Sequence, residues 1–103
     1  MEKIEKLKSF LRDSPDDPFL KHALALEYIK TGNETEARDL FLEILTLDPS
    51  YIGSYYHLAR LLERMGETEN AKSWFEKGME ASQKAGDGHS YRELQAAYED
   101  LID

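Results

Sequence analysis

The sequence predicts an all-α protein built from repeated antiparallel helix pairs, and three observations carry that reading. Apolar residues recur every three or four positions and never in strict alternation, which favours amphipathic helices over half-buried strands. The chain also repeats itself. A shift of 34 residues lays Pro15 on Pro49, Leu24 on Leu58, Ala25 on Ala59, Gly32 on Gly66, Ala37 on Ala71 and Phe41 on Phe75. Glycine or proline, finally, punctuates the apolar stripes at helix-length intervals.

Each element follows from its own residues. Residues 3–12 read as a lone helix closed by Asp13-Ser14-Pro15, and the same shift places Leu7 under Phe41, Phe10 under Ile44 and Leu11 under Leu45. Leu20, Leu24, Tyr28 and Ile29 mark the next helix. Asp16 or Asp17 helps start it ahead of Pro18, and Lys30-Thr31-Gly32-Asn33 stops it, with Gly32 suited to a left-handed turn. Ala37, Leu40, Phe41, Ile44, Leu45 and Leu47 form the following stripe, which Asp48-Pro49 ends because proline cannot continue the ladder. Tyr55, Leu58, Leu61 and Leu62 lead to Met65-Gly66, and Ala71, Trp74, Phe75 and Met79 follow. A shift of 36 aligns Tyr91 with Tyr55, Leu94 with Leu58 and Tyr98 with Leu62, so residues 89–102 read as one closing helix. Its Glu93, Glu99, Asp100 and Asp103 lie away from that stripe and face water. The expected organisation is a single domain, 1–103. It has a half-repeat helix at 3–12, full repeats at 18–51 and 52–85, and a capping helix at 89–102.

This pattern resembles the tetratricopeptide repeat, a helix-pair unit of about 34 residues. The first unit matches at Leu24, Ala25, Tyr28, Gly32, Ala37, Phe41 and Pro49, and departs at Lys21, where the family often has Trp. The second matches at Tyr55, Leu58, Ala59, Gly66, Ala71 and Phe75, and departs at Leu62, Gly78 and Gln83. Total length and the ending Ala85-Gly86-Asp87-Gly88-His89 with Glu93-Leu94 resemble compact single-domain bacterial members. The resemblance implies a short right-handed solenoid. It also implies a scaffold whose first helices line a concave groove for extended peptides or partner helices.

Composition narrows the chemistry. The chain is 41% hydrophobic and 33% charged, the balance of a soluble globular protein. Absence of cysteine excludes a disulfide framework, a thiolate metal site and a cysteine nucleophile. With 13 basic against 21 acidic residues the net charge is −8, which repels phosphate backbones, so no nucleic-acid partner is expected. No apolar run approaches the ~18 residues of a membrane span. The start, Met1-Glu2-Lys3-Ile4-Glu5-Lys6, lacks the apolar centre of a signal peptide, and a cytoplasmic location is expected. Gly32, Gly66, Gly86 and Gly88 fall at helix ends rather than in a phosphate loop, and the serines show no nucleophile-elbow context. The pairs Asp16-Asp17 and Glu99-Asp100 suit a helix start and a solvated face better than catalysis. His22, His57 and His89 fall one per unit with no pattern that brings ligands together. Neither enzyme activity nor a metal or other cofactor is expected.

The resemblance, carried over residue by residue, implies the groove. It assigns Phe19, His22 and Leu26 in the first unit, Tyr56, His57, Arg60 and Arg64 in the second, and His89 and Arg92 in the closing helix. Phe19 and Leu26 offer apolar contact, while His22 and the arginines offer donors. Arginine forks bind carboxylates, so the expected partner is a protein or peptide segment with acidic and apolar residues, with Glu63, Glu93 and Glu99 as internal competitors. One subfamily grips a terminal carboxylate with lysine and asparagine. The corresponding residues here, His22, Leu26, His57, His89 and Glu93, do not match. The alternative is a self-associating structural module, a homodimer formed through an end helix or the groove; the expected state of the protein is a monomer or weak homodimer.

Overall fold

A computed structural model describes residues 2–103. They form six helices and, among the described residues, no strand: α1 (Glu2–Asp13), α2 (Pro18–Lys30), α3 (Glu34–Leu47), α4 (Gly53–Arg64), α5 (Thr68–Ala85) and α6 (Gly88–Ile102). The chain divides into two compact units, one ending at Asp48 and the other spanning Pro49–Asp103.

In the first unit α2 packs on α3 and α1 packs on α2. The Asp17 carboxylate caps α2, accepting from the backbone N–H of Phe19 at 2.9 Å and of Leu20 at 3.4 Å. Pro18 follows at a helix position where no N–H is needed. Leu24, Ala25, Ala37, Phe41, Ile44 and Leu45 form the buried centre, and Ile4 joins it from α1. Phe10 does not. The sequence places it in the stripe under Ile44, yet Phe10 is 52% exposed while Ile44 is 1% exposed. The reason is the number of neighbours. In this unit α1 has its helix packing against α2, and a helix held on one side buries one narrow strip.

In the second unit α5 packs against both α4 and α6, and α4 also touches α6. Tyr55, Leu58, Ala59, Leu61, Leu62, Ala71, Phe75, Leu94 and Ala97 make its core. Gly78, a departure from the repeat pattern, has a steric cause. A Cβ there would stand 2.7 Å from Tyr55 Cβ and 3.0 Å from Leu94 Cδ1. One turn later the buried Ser82 hydroxyl donates to the Gly78 carbonyl at 2.8 Å. The Asp87 carboxylate caps α6 by accepting from Ser90 N–H at 3.0 Å. Of the stripe read on α6, Leu94 is buried. Tyr91 and Tyr98 are half-buried, and the Tyr98 hydroxyl donates to Glu76 on α5 at 2.8 Å.

Three helix ends share one device. Gly32, Gly66 and Gly86 have φ of 80°, 81° and 70°. At each, the glycine N–H and the next N–H reach back to two of the helix's last carbonyls: Gly32 to Ile29 and Asn33 to Tyr28, Gly66 to Glu63 and Glu67 to Leu62, Gly86 to Gln83 and Asp87 to Ser82. These bonds satisfy carbonyls that would otherwise be orphaned, and the positive φ favours glycine.

Candidate interaction surface

On α4, the residues Ser54, Tyr55, Leu58, Ala59, Leu61 and Leu62 face inward. Tyr56, His57, Arg60 and Glu63 are half-buried at helical spacing, and Arg64 extends the row into solvent. Within the row the side chains touch one another. The Arg60 guanidinium lies 5.9 Å from the Tyr56 ring centroid, and the His57 ring meets Tyr56 edge-on at 5.7 Å. Arg60 Nε stands 3.9 Å from Glu63 Oε1, an oxygen that is buried and has no hydrogen-bond partner.

Helix α6 faces part of this row. Burial lowers the pKa of His57, the Glu93 carboxylate pulls it back up, and the Arg64 charge lowers it further. His89 Nε2 lies 3.6 Å from Glu93 Oε2. Arg92 folds back along its own helix, its Nη1 3.1 Å from the place a Cβ on Gly88 would take. Its charge is a minor influence on Asp87, whose pKa is lowered chiefly by the Ser90 backbone N–H and then by the Ser90 hydroxyl.

The sequence-derived residues therefore fall into two sets. Tyr56, His57, Arg60 and Arg64 lie along α4, where Tyr56 touches His57 and Arg60, and Glu93 of α6, with His89 paired to it, acts on His57. Phe19, His22 and Leu26 belong to α2 in the first unit. Phe19 is 67% exposed and Leu26 half-buried, while the His22 ring packs edge-on against the buried Phe41 at 5.6 Å. Of the glutamates expected to compete for the arginines, Glu63 lies 3.9 Å from Arg60, while Glu93 stands beside His89. The departure at Lys21 from the repeat pattern, which the sequence reading assigned no role, marks a buried ammonium 3.4 Å from Glu43. Among the described residues no group of three or more His, Cys, Asp or Glu is placed to hold a metal ion. No helix there is long and apolar enough to cross a membrane.

Helix pairs closed by αL glycine turns, with the buried aromatics Phe41 and Phe75 one repeat apart, define a helical-repeat fold. The chain belongs to the tetratricopeptide repeat family, whose model matches residues 20–51 and 52–84. Its fold is accordingly a solenoid type made of helix pairs, and members of this family commonly mediate protein–protein interaction without catalysis. A tetratricopeptide repeat domain protein from Salinibacter ruber, solved in solution, is 39% identical with a TM-score of 0.81, covering 84% of this chain and 88% of that one. The TPR2B domain of yeast Sti1, in its complex with pHsp70, shares the fold at 17% identity and a TM-score of 0.89, covering 96% and 79%. The first such domain of Spaghetti, bound to the HSP90 peptide SRMEEVD, shares it at 19% and 0.76, covering 97% and 78%. No curated protein matches the chain.

Proposed function

We propose that this protein is a non-catalytic scaffold that binds a peptide or partner helix on the exposed faces of its first helices. In the second unit the contact residues are Tyr56, His57, Arg60 and Arg64 with His89 and Arg92. In the first they are Phe19, His22 and Leu26. The observation that carries this reading is the Tyr56–Arg60 pair: an aromatic face and a guanidinium stacked side by side, with a carboxylate contact of 3.9 Å that a ligand carboxylate can replace. The acidic peptide held by the Spaghetti domain is a precedent for this ligand class. Affinity in the micromolar range, roughly −8 kcal/mol, is expected.

The test is a fluorescence titration of matched acidic–apolar and basic–apolar peptides against wild type and Arg60→Glu at two salt concentrations. The acidic peptide is expected to bind more tightly, with Arg60→Glu and added salt each weakening it. Preference for the basic peptide, or indifference to Arg60→Glu, rejects the assignment. A second reading, self-association, is favoured by the exposed side chains of Phe10 and Phe19. Sedimentation at increasing concentration separates it, because a monomer at all concentrations removes it.

A further inference from the structure

The first unit buries a charge that the α4 face does not use. Lys21 on α2 is 5% exposed, and its ammonium meets Glu43 on α3 at 3.4 Å. The Glu43 side chain is itself 58% exposed. An ammonium carries three donors, so this one contact leaves Lys21 with capacity to spare. Beside it opens a cleft of about 350 Å³ whose walls include Lys8, Leu11 and Arg12 of α1 and Leu40 of α3. Lys8 and Arg12 stand four apart and so share one face of α1. Neither pairs with a carboxylate among the described residues. Three cations against one carboxylate make a positive spot on a chain of net charge −8.

We propose that this cleft is a second docking site, separate from the face of α4 and α6, for a protein segment that sets a carboxylate side chain beside apolar ones. The incoming carboxylate takes the place of Glu43 on Lys21. Lys8 and Arg12 hold further negative charge, and Leu11 and Leu40 receive the apolar residues. The exchange is like for like. Lys21 passes from one carboxylate to another and is never left buried and unpaired, the situation that is strongly unfavourable. Glu43 moves into water at little cost, because it is already largely solvated. The leucine walls distinguish a segment from a small free anion, which would leave them uncovered.

The experiment is an amide chemical-shift titration of the whole chain with three probes: a short helical peptide bearing Glu and Leu on one face, its Gln-for-Glu counterpart, and inorganic phosphate. The Glu peptide is expected to move resonances at residues 8–21 and 40–43, and the Gln peptide to leave them still. Lys21→Met and Arg12→Glu should each weaken the Glu peptide at these residues by at least about tenfold. Arg12 lies on an exposed helix face, so Arg12→Glu carries the test even if Lys21→Met unfolds the protein. Arg60→Glu should leave this set of shifts unchanged, so the cleft and the α4 face stand or fall separately. The proposal is overturned by shifts confined to residues 56–64 and 88–96, by equal binding of the Gln peptide, or by phosphate reproducing the shifts when the Glu peptide does not.

Discussion

Lys21 and Tyr55 occupy the same place in their repeats, 34 residues apart, and both are almost fully buried, at 5% and 4% exposure. They meet burial in different ways. Tyr55 fills its place with a ring that packs on Trp74 at 6.0 Å and donates its hydroxyl to the Pro49 carbonyl. Lys21 fills the same place with a slender stem and pairs its charge with Glu43. The neighbouring helix is adjusted in step: Gly78 leaves room beside the Tyr55 ring, whereas the equivalent position in the first unit holds the buried Ile44. The helix starts differ too, since Asp17 caps α2 with its side chain while Ile52 gives α4 no such bond. One backbone plan thus accepts a polar aromatic with a hydrogen-bonded tip or a cation with a carboxylate. In both cases the polar tip at this place has a partner, which offsets the cost of burying it.

The sharpest way to break this comparison is to remove the two side chains in turn. Tyr55→Ala is expected to cost about 3–5 kcal/mol in chemical denaturation, because it deletes a buried ring and its hydrogen bond. A loss comparable to that of a surface substitution would mean the ring is not the keystone of the second unit. Gly78→Ala tests the adjustment by its sign. Helix propensity alone would stabilise the protein by up to about 1 kcal/mol. The approach to Tyr55 and Leu94 predicts instead a loss of about 1–3 kcal/mol, read as a lowered melting midpoint. Asp17→Ala should cost about 1 kcal/mol through the lost cap of α2, and an unchanged midpoint would show that Pro18 suffices alone. Lys21→Met keeps the stem and removes the ion pair, so stability should stay within about 1 kcal/mol of wild type in either direction. A larger drop would show that the charge pair itself holds α2 to α3.

The smallest effect belongs to His57, whose counterpart in the first unit is Ala23. Burial lowers its folded pKa below 6.5, so on acidification the unfolded chain takes up this proton first. Stability contributed at neutral pH is therefore lost as pH falls below about 6.5, and the loss levels off once the folded state protonates as well. His57→Gln should flatten this part of the melting profile between about pH 7.5 and 5.5. An unaltered slope would assign the pH dependence to other groups.

Much of this was legible before any coordinates. Helix count, the glycine stops, a helix start at Asp16 or Asp17 and the core positions Leu24, Phe41, Leu58 and Phe75 all follow from local chemistry and a period, which act over a few residues at a time. Phe10 was misread because periodicity tells which face of a helix is apolar and not whether a neighbour arrives to cover it. Gly78 registered as a departure, but its cause is the Tyr55 Cβ on another helix, which no spacing rule contains. The row Tyr56, His57, Arg60 and Arg64 was legible as one face of α4. Whether its cations were engaged depended on side-chain conformations around Glu63 and Glu93. The cleft beside Lys21 was hidden for a related reason, since its walls come from three helices and only the odd residue at its floor stood out.

The three left-handed glycine turns also bear on how quickly the chain reaches this structure. Each turn is specified by hydrogen bonds that span five or fewer residues, and each joins helices of the same unit: α2 to α3, α4 to α5 and α5 to α6. Closing such a short connection loses little entropy, and the contacts it brings are local in sequence. Chains dominated by local contacts cross low barriers and fold in roughly microseconds to milliseconds. Replacing Gly32, Gly66 or Gly86 would thus act on time as well as on stability, slowing the step at which two helices first find each other.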